Sequence, residues 1–491
     1  MQNSRRQIIN KQLLYQHWSI ILMILLFPLL LYAVIRILPT HDDWTSMTSP
    51  DFNPFFIKER FLFYGYHWRP FDAIIGYIAG RNPQAFFPTI HHILVVSGHL
   101  ICAVSIYQFL SILGFNRQAA NIATFFFFIT PATMATVSAV DSQNQVYALT
   151  CDVVAFLLYV KLKKRKYVVW IALIFLATLF KENGLMWALI CPILAYGFDF
   201  IDKKTLKKDV LAGFGIMAMY ALLITILPKD ITIHAEYVPS ITKVIHNSIK
   251  FLFTSFITID YIYLLHQPHR NLWLAGATFL MALPFFYYIF IRNMKIYADK
   301  KMICILLCLL IAVAPHVLTV FSMMHTYAGL AMIAIMIAYS IQSYQENMKP
   351  VIVSFLWFII TAIIINIHLI DSSVKSGLIG KKIAIEVIQK TAKPVKNVYL
   401  IMIEEEYPKL SSFCVIPYEA FGWGIAARHE TNYQWPETII DTTIARNDKS
   451  LETAKELASK QLKSEKYDCV WIVNHQDITV IHQENTNSHR R

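Results

Sequence analysis

Glycine is scarce in this chain, at 15 of 491 residues, and none of it forms a Gly-rich phosphate loop. Neither a His-Glu-x-x-His zinc signature nor a Gly-x-Ser-x-Gly nucleophile elbow occurs. The sequence therefore lacks a nucleotide cradle, a zinc-protease site and an acyl-enzyme serine. Charge is also thin: 15% of residues are charged, against about 25% in soluble globular chains. Internal repeats and low-complexity stretches are absent. Five of the seven cysteines, Cys102, Cys151, Cys191, Cys304 and Cys308, fall in apolar runs, where a thiol acts as a small hydrophobe. Cys304 and Cys308 share a helix face, but no His or acid stands at metal-ligand spacing from them.

What the chain has in abundance is apolar sequence. Hydrophobic residues make up 56% and mean hydropathy is +0.46. Many runs are long enough to cross about 30 Å of hydrocarbon as helices. The formal charge of +12 comes mostly from short basic clusters between those runs, such as Lys161, Lys163, Lys164, Arg165 and Lys166. That is the pattern of cytoplasmic loops under the positive-inside rule. A nucleic-acid surface is not indicated, because no soluble segment carries a basic stripe interleaved with aromatics.

The first apolar run, Trp18 to Leu38, follows Arg5, Arg6 and Lys11 and lacks a small-residue cleavage site. It reads as an uncleaved anchor with the N-terminus inside. A loop over 39–87 follows outside, with an interfacial helix near Arg69–Ala79. Further spans are expected over 88–113, 120–140, 144–160, 167–180, the stretch after Gly184, and 210–227. After a mixed interfacial segment, 228–270, come 272–291, 302–321, 327–343 and 351–370. That makes about eleven crossings, each inner loop holding a basic residue.

The expected fold class is thus an all-α polytopic membrane bundle over 1–370 with a small soluble α/β domain over 371–491. Strands are expected at Val398–Ile403, Asp468–Val473 and Ile478–Ile481, and a helix at Asp448–Lys463. The chain reads as a multi-pass protein of the cell (inner) membrane, with this domain extracytoplasmic. Cys414 and Cys469 could pair there as a disulfide.

Ionisable groups other than Lys and Arg gather on the outer ends, and near membrane depth such groups are expensive and default to function. Asp42 and Asp43 stand where the chain first meets water outside. One carboxylate there suits general-base work on an acceptor hydroxyl while the other holds a metal or orients a sugar. Arg69, in Trp68-Arg69-Pro70-Phe71, offers a planar fork of donors that matches phosphate oxygens. His91 and His92 open the second span. His99, seven residues beyond His92 and about 10 Å away, is too far to share a metal ion and reads as a helix contact. Lys181-Glu182 and His325-Thr326-Tyr327 sit at other outer turns, and Asp141 at a third. Asp152 near mid-bilayer reads as a packing or coupling residue.

In order, these segments resemble the GT-C superfamily of integral-membrane glycosyltransferases, particularly its protein O-mannosyltransferase-like branch. The carriers are Asp42-Asp43 after span one, Trp68-Arg69-Pro70-Phe71, and His92 with His99. Lys181-Glu182-Asn183-Gly184 and His325-Thr326-Tyr327 complete the set. Val95 stands where that branch has Asn, and His325 where it has Arg.

The resemblance implies inverting transfer of a sugar from a polyprenyl-phosphate donor to a glycan, lipid or protein acceptor at the extracytoplasmic face. Asp42 or Asp43 would be the base. Arg69, His92, Lys181, Glu182, His325 and Tyr327 would meet the donor phosphate, and Asp141 and His91 would orient the acceptor. A divalent metal ion held by Asp42 or Asp43 is left open, and no other cofactor is expected. The competing readings are a transporter or flippase of lipid-linked glycans, which would show broken polar helices at mid-membrane, and a non-catalytic envelope-polysaccharide assembly protein.

Overall fold

The structure is a computed structural model. It describes residues 16–40, 43–46, 69–71, 74–75, 89–162, 166–226, 239–256, 269–292, 294–319, 321–344, 348–403, 417–431, 434, 438–444, 450–474 and 477–483. Among the described residues, fourteen α-helices lead from Trp18 into the C-terminal domain. They are α1 Trp18–Val34, α2 Asp43–Ser46, α3 Thr89–Ile112, α4 Arg117–Ile129, α5 Pro131–Ser138, α6 Gln143–Lys161 and α7 Lys166–Phe180, followed by α8 Trp187–Gly197, α9 Lys203–Ile226, α10 Ile241–Phe256, α11 His269–Phe286, α12 Lys300–Leu318, α13 Thr326–Gln342 and α14 Lys349–Thr391. Each expected crossing has its helix in this order. Among the described residues, five helices are long and apolar enough to span on their own, and the α4–α5 pair, bent by 50°, makes a sixth when counted as one span.

The bend has a local cause. Pro131 has no N–H to continue the ladder, and Thr130 before it takes extended dihedrals, φ −60° and ψ 133°, as a residue preceding proline does. The expected interfacial segment contains α10, which turns an exposed apolar stripe of Ile241, Ile245, Ile249 and Leu252 outward while Asn247, Thr254 and Ser255 are buried. A helix with that inverted face suits the membrane boundary.

Polar contacts sort to the two ends of the bundle. At one end Asp209 accepts from the Tyr159 and Tyr167 hydroxyls and from Lys166, and Lys300 pairs with Asp199. At the other end lie Asp43, Arg69, Asp141, Lys181, Glu182 and His325. The charge sorting expected from the basic loops is thus a sorting in space.

The last span does not stop at 370. Helix α14 runs 43 residues, about 65 Å at 1.5 Å per residue, roughly twice the hydrocarbon thickness. Its second half is held by Lys375–Asp371, Lys382–Glu386 and Lys390–Glu386 pairs and forms the floor of the C-terminal domain. The domain boundary drawn at 370/371 therefore falls inside a continuous helix.

Above the floor lies a four-stranded sheet ordered β2-β1-β3-β4, with β1 Asn397–Ile403, β2 Thr438–Ile444, β3 Cys469–Asn474 and β4 Asp477–His482. Strand β1 runs parallel to both β2 and β3, and β4 is antiparallel. Short helices α15 Pro417–Ala420 and α16 Ile425–Glu430 lie on the α14 side, and α17 Ser450–Leu462 covers the opposite face with Ala454, Ala458 and Leu462. Cys469 carries a free, fully buried thiol; Cys414, its expected partner, lies outside the described residues.

Candidate functional site

His41 and Asp42 lie outside the described residues; Asp43, which follows them, is 4% exposed. Its Oδ1 accepts from the backbone N–H of Val140 at 2.7 Å and of Asp141 at 3.1 Å, and its Oδ2 from Thr40 N–H at 3.1 Å. The side chain thus staples the exit of span one to the turn between α5 and α6. Burial, with Asp141 adding like charge, pushes its carboxyl up to about 7 against the pull of the three N–H donors. His92 supports the same segment from below, its Nε2–H donating to the Ile37 carbonyl at 3.0 Å.

Arg69 makes a two-armed contact with Glu182, Nε to Oε1 and a terminal nitrogen to Oε2, both at 2.8 Å. Charge-assisted pairs of this geometry are among the stronger side-chain contacts. Glu182 opens the 3₁₀ turn Glu182–Met186. Gly184 is required in that turn because a Cβ there would sit 2.9 Å from the Ala177 backbone. Phe71 packs against Phe180 with tilted rings, centroids 5.4 Å apart, which seats the Arg69 segment on the end of α7.

The next contacts link the two halves. Asn183 Nδ2 donates to Gln145 Oε1 at 3.3 Å and lies 3.5 Å from His316 Nε2. His316 stacks on His325 with ring centroids 4.0 Å apart. Lys181, 6% exposed, Arg69 and Glu182 all act electrostatically on this histidine pair. Ser142 reaches Met324 Sδ at 2.9 Å, closing the ring between the Asp43 side and the His325 side. His91 lies beside Gln143.

The structure therefore brings Asp43 together with Asp141, and Arg69 with Lys181, Glu182 and His325. It does not bring Tyr327 to that group. Tyr327 is fully buried, with its hydroxyl donating to His99 Nδ1 at 2.9 Å while His99 Nε2–H donates to the Phe128 carbonyl at 3.1 Å. Both residues serve helix packing, as expected for His99 and not for Tyr327.

Reading only ionisable groups on the outer turns passed over the amides and one histidine. Gln145 is 1% exposed and Asn183 8%. Gln145 Nε2 and Asn183 Oδ1 make no hydrogen bond among the described residues. A run of three amides, Gln143-Asn144-Gln145, following Asp141-Ser142 was the available signal. His316, inside an apolar run beside Pro315, had none. Asn247 Nδ2 donates to the Val317 and Thr319 carbonyls, so α10 fixes the end of α12 on which His316 sits.

Among the described residues the fit to a metal ion is poor, and Asp42 lies outside them. Both Asp43 oxygens are taken by backbone donors, and no group of three His, Cys, Asp or Glu side chains gathers at ligating distance among the described residues.

No family model and no curated protein matches the sequence. Among solved structures, the chain is similar to ArnT from Cupriavidus metallidurans bound to undecaprenyl phosphate, with TM-score 0.50, 9% identity, and coverage of 95% of this chain and 98% of that one. Archaeal oligosaccharyltransferase AglB from Archaeoglobus fulgidus, in complex with an inhibitory peptide and a dolichol-phosphate, gives TM-score 0.49 at 14% identity, over 94% of this chain and 70% of that one. An Archaeoglobus fulgidus oligosaccharyltransferase complex with zinc and sulfate gives 0.42 at 15%, over 83% and 59%. The bundle with its α/β domain, matched along nearly its whole length, shares the fold of ArnT, the GT-C-like architecture expected from the sequence.

Proposed function

We propose that the chain is a membrane glycosyltransferase that moves a sugar from a polyprenyl-phosphate donor to an acceptor hydroxyl at the extracytoplasmic face. The observation that carries this reading is the convergence, at one end of the bundle, of the Asp43 turn with the Arg69, Lys181, Glu182 and His325 group. Acid and cation groups in one site are what inverting transfer requires: a base on the acceptor and positive charge where the lipid phosphate departs. The undecaprenyl phosphate in the ArnT structure supports a lipid-phosphate donor here.

Asp42 is assigned as the base. Asp43 has both oxygens occupied by backbone N–H groups, so it positions the turn and leaves proton transfer to its neighbour. Arg69 and Lys181 stabilise the leaving phosphate, Glu182 orients Arg69, and the His316–His325 pair walls the same side. Asp141 and His91 lie on the acceptor side. His92 holds the Ile37 to Asp43 segment. The amide edge of Gln145 and Asn183 offers one donor and one acceptor, which a sugar hydroxyl satisfies together. The basic clusters support a cytoplasmic location for the opposite end of the bundle and, with it, an inner-membrane protein whose C-terminal domain lies outside.

The test is to replace Asp42 and Asp43 by Asn separately and follow release of undecaprenyl phosphate from undecaprenyl-phosphate-linked sugars in membranes. Asp42→Asn should lower turnover by about 10²- to 10⁴-fold, the range of general-base catalysis. Asp43→Asn keeps a carbonyl oxygen for Val140 and Asp141 and should lose about tenfold or less. Full activity in both variants would remove the catalytic assignment, and the reverse order of losses would make Asp43 the base.

A further inference from the structure

Trp44 adjoins the carboxylate pair, yet it belongs to another body. It is 1% exposed and packs in the core of the C-terminal domain with Ile383, Val387, Leu400, Phe421 and Trp471. Its indole Nε1–H donates to the Ala420 carbonyl at 3.2 Å, and its own carbonyl receives His429 Nε2–H at 3.3 Å. Gly422 holds the cover over the indole. Its φ is +59°, and a Cβ there would lie 2.4 Å from Trp44 Cδ1.

Helix α14 contacts both partners through two glycines on one face. A Cβ on Gly377 would meet the Leu38 carbonyl oxygen at 2.9 Å, and one on Gly380 the Ala420 oxygen at 2.3 Å. Three residues apart on a helix, these sites are neighbours. Backbone from the exit of span one and backbone from the domain's α15 therefore lie side by side on the same helix.

We infer that the C-terminal domain is a positioning element of the active site, holding the Asp42-Asp43 turn through Trp44 against the pull of Asp43 on the membrane bundle. The adjacent residues Asp43 and Trp44 bridge two bodies. The Asp43 side chain is stapled to the α5–α6 turn, and the Trp44 side chain is sunk in the domain. Displacing the domain moves Trp44, and the adjacent carboxylates move with it. The positional claim needs no chemistry, while the catalytic consequence rests on the transferase reading. Trp44, Gly422 and His429 are positioning residues in this scheme, acting through the turn rather than on substrate.

The test uses the full chain in detergent micelles and two variants. Trp44→Phe keeps an aromatic ring and removes the indole N–H bond, whereas Gly422→Ala forces a methyl group into the Trp44 contact. Hydrogen exchange is read at the amides of Asp43, Val140 and Asp141, which depend on the turn, and at those of β1 and β3. In Trp44→Phe the three turn amides should exchange about 3- to 10-fold faster, the worth of one net hydrogen bond, with the sheet amides unchanged. Gly422→Ala should accelerate them further.

With undecaprenyl-phosphate-linked sugar as the probe, kcat should fall about 10- to 100-fold in Gly422→Ala, since a displacement near 1 Å costs on that order. KM for the donor should stay within about twofold. Unchanged exchange at Asp43, Val140 and Asp141 in Trp44→Phe overturns the inference, whatever the activity. Faster exchange supports it even if the wild type turns over no sugar; that second result would sink the transferase reading alone.

Discussion

Asp43 should make the chain less stable as pH rises, and one substitution isolates the effect. Burial and the nearby Asp141 charge lift its carboxyl from 3.8 to about 7. An acid with a raised folded value keeps its proton in the folded state over a range where the unfolded chain has lost it. The folded state is therefore favoured at low pH, and that advantage is lost as pH climbs from about 4 to about 7. At about 1.36 kcal/mol per pH unit, the full window is worth on the order of 4 kcal/mol. Asp43→Asn removes the titration while keeping a carbonyl oxygen for the Val140 and Asp141 N–H groups. The measurement is the unfolding temperature of the detergent-solubilised wild type and variant at half-unit steps from pH 4 to 8. The variant should gain on the wild type steadily up to about pH 7 and hold a constant offset above it. Parallel curves across the whole range would show that the three backbone donors outweigh burial, leaving Asp43 ionised throughout.

Two further results bear on the phosphate and sugar sides. Arg69→Ala should weaken binding of undecaprenyl phosphate by about 10- to 100-fold, the loss of a charge-assisted contact. Glu182→Gln should strengthen it several-fold by removing a nearby like charge; titration of both solubilised variants with the lipid checks this, and unchanged affinity in both would remove the group from the donor site. Gln145→Ala and Asn183→Ala should each lower kcat/KM for an undecaprenyl-phosphate-linked sugar by about tenfold while leaving affinity for undecaprenyl phosphate itself unchanged. Equal losses with the bare lipid phosphate would mean that the amide edge does not read the sugar.

The membrane bundle was legible because hydropathy and basic loops are local signals, and each expected span has a helix. The bend at Pro131 was legible in principle, since proline punctuates wherever it stands. Strand β2 was not. Its sequence, Thr-Ile-Ile-Asp-Thr-Thr-Ile, carries an acid and three threonines, and its place is the sheet edge beside β1. The continuity of α14 past 370 was hidden by Asp371-Ser372-Ser373, which marks an exit from lipid without ending a helix. Within the site, Arg69 and Glu182 could be singled out, but their pairing across 113 positions could not. The bond from Asp43 to Val140, 97 positions apart, was equally closed to local reading. The place of Trp44 was closed to sequence reading, because composition cannot say which of two cores a tryptophan enters.

The His41-Asp42-Asp43-Trp44 segment can now be divided by task. A buried carboxyl raised to about 7 carries a stability penalty that Asn or Ser at the same position would largely avoid while still capping backbone N–H groups. Stability alone thus does not explain an acid there. Geometry supplies a reason: a carboxylate offers two oxygens to three N–H donors drawn from both Thr40 and the Val140–Asp141 turn, fixing two segments with one side chain. Trp44 fixes the opposite end of the tetrapeptide in the C-terminal domain. Both following residues are committed to structure in opposite directions, which is why the proposal assigns proton transfer to Asp42, and the two anchors restrict the backbone that follows it. A general base is effective only when held within hydrogen-bond reach of its proton, and a short turn at a membrane surface has little rigidity of its own. The neighbours of the proposed base provide that rigidity.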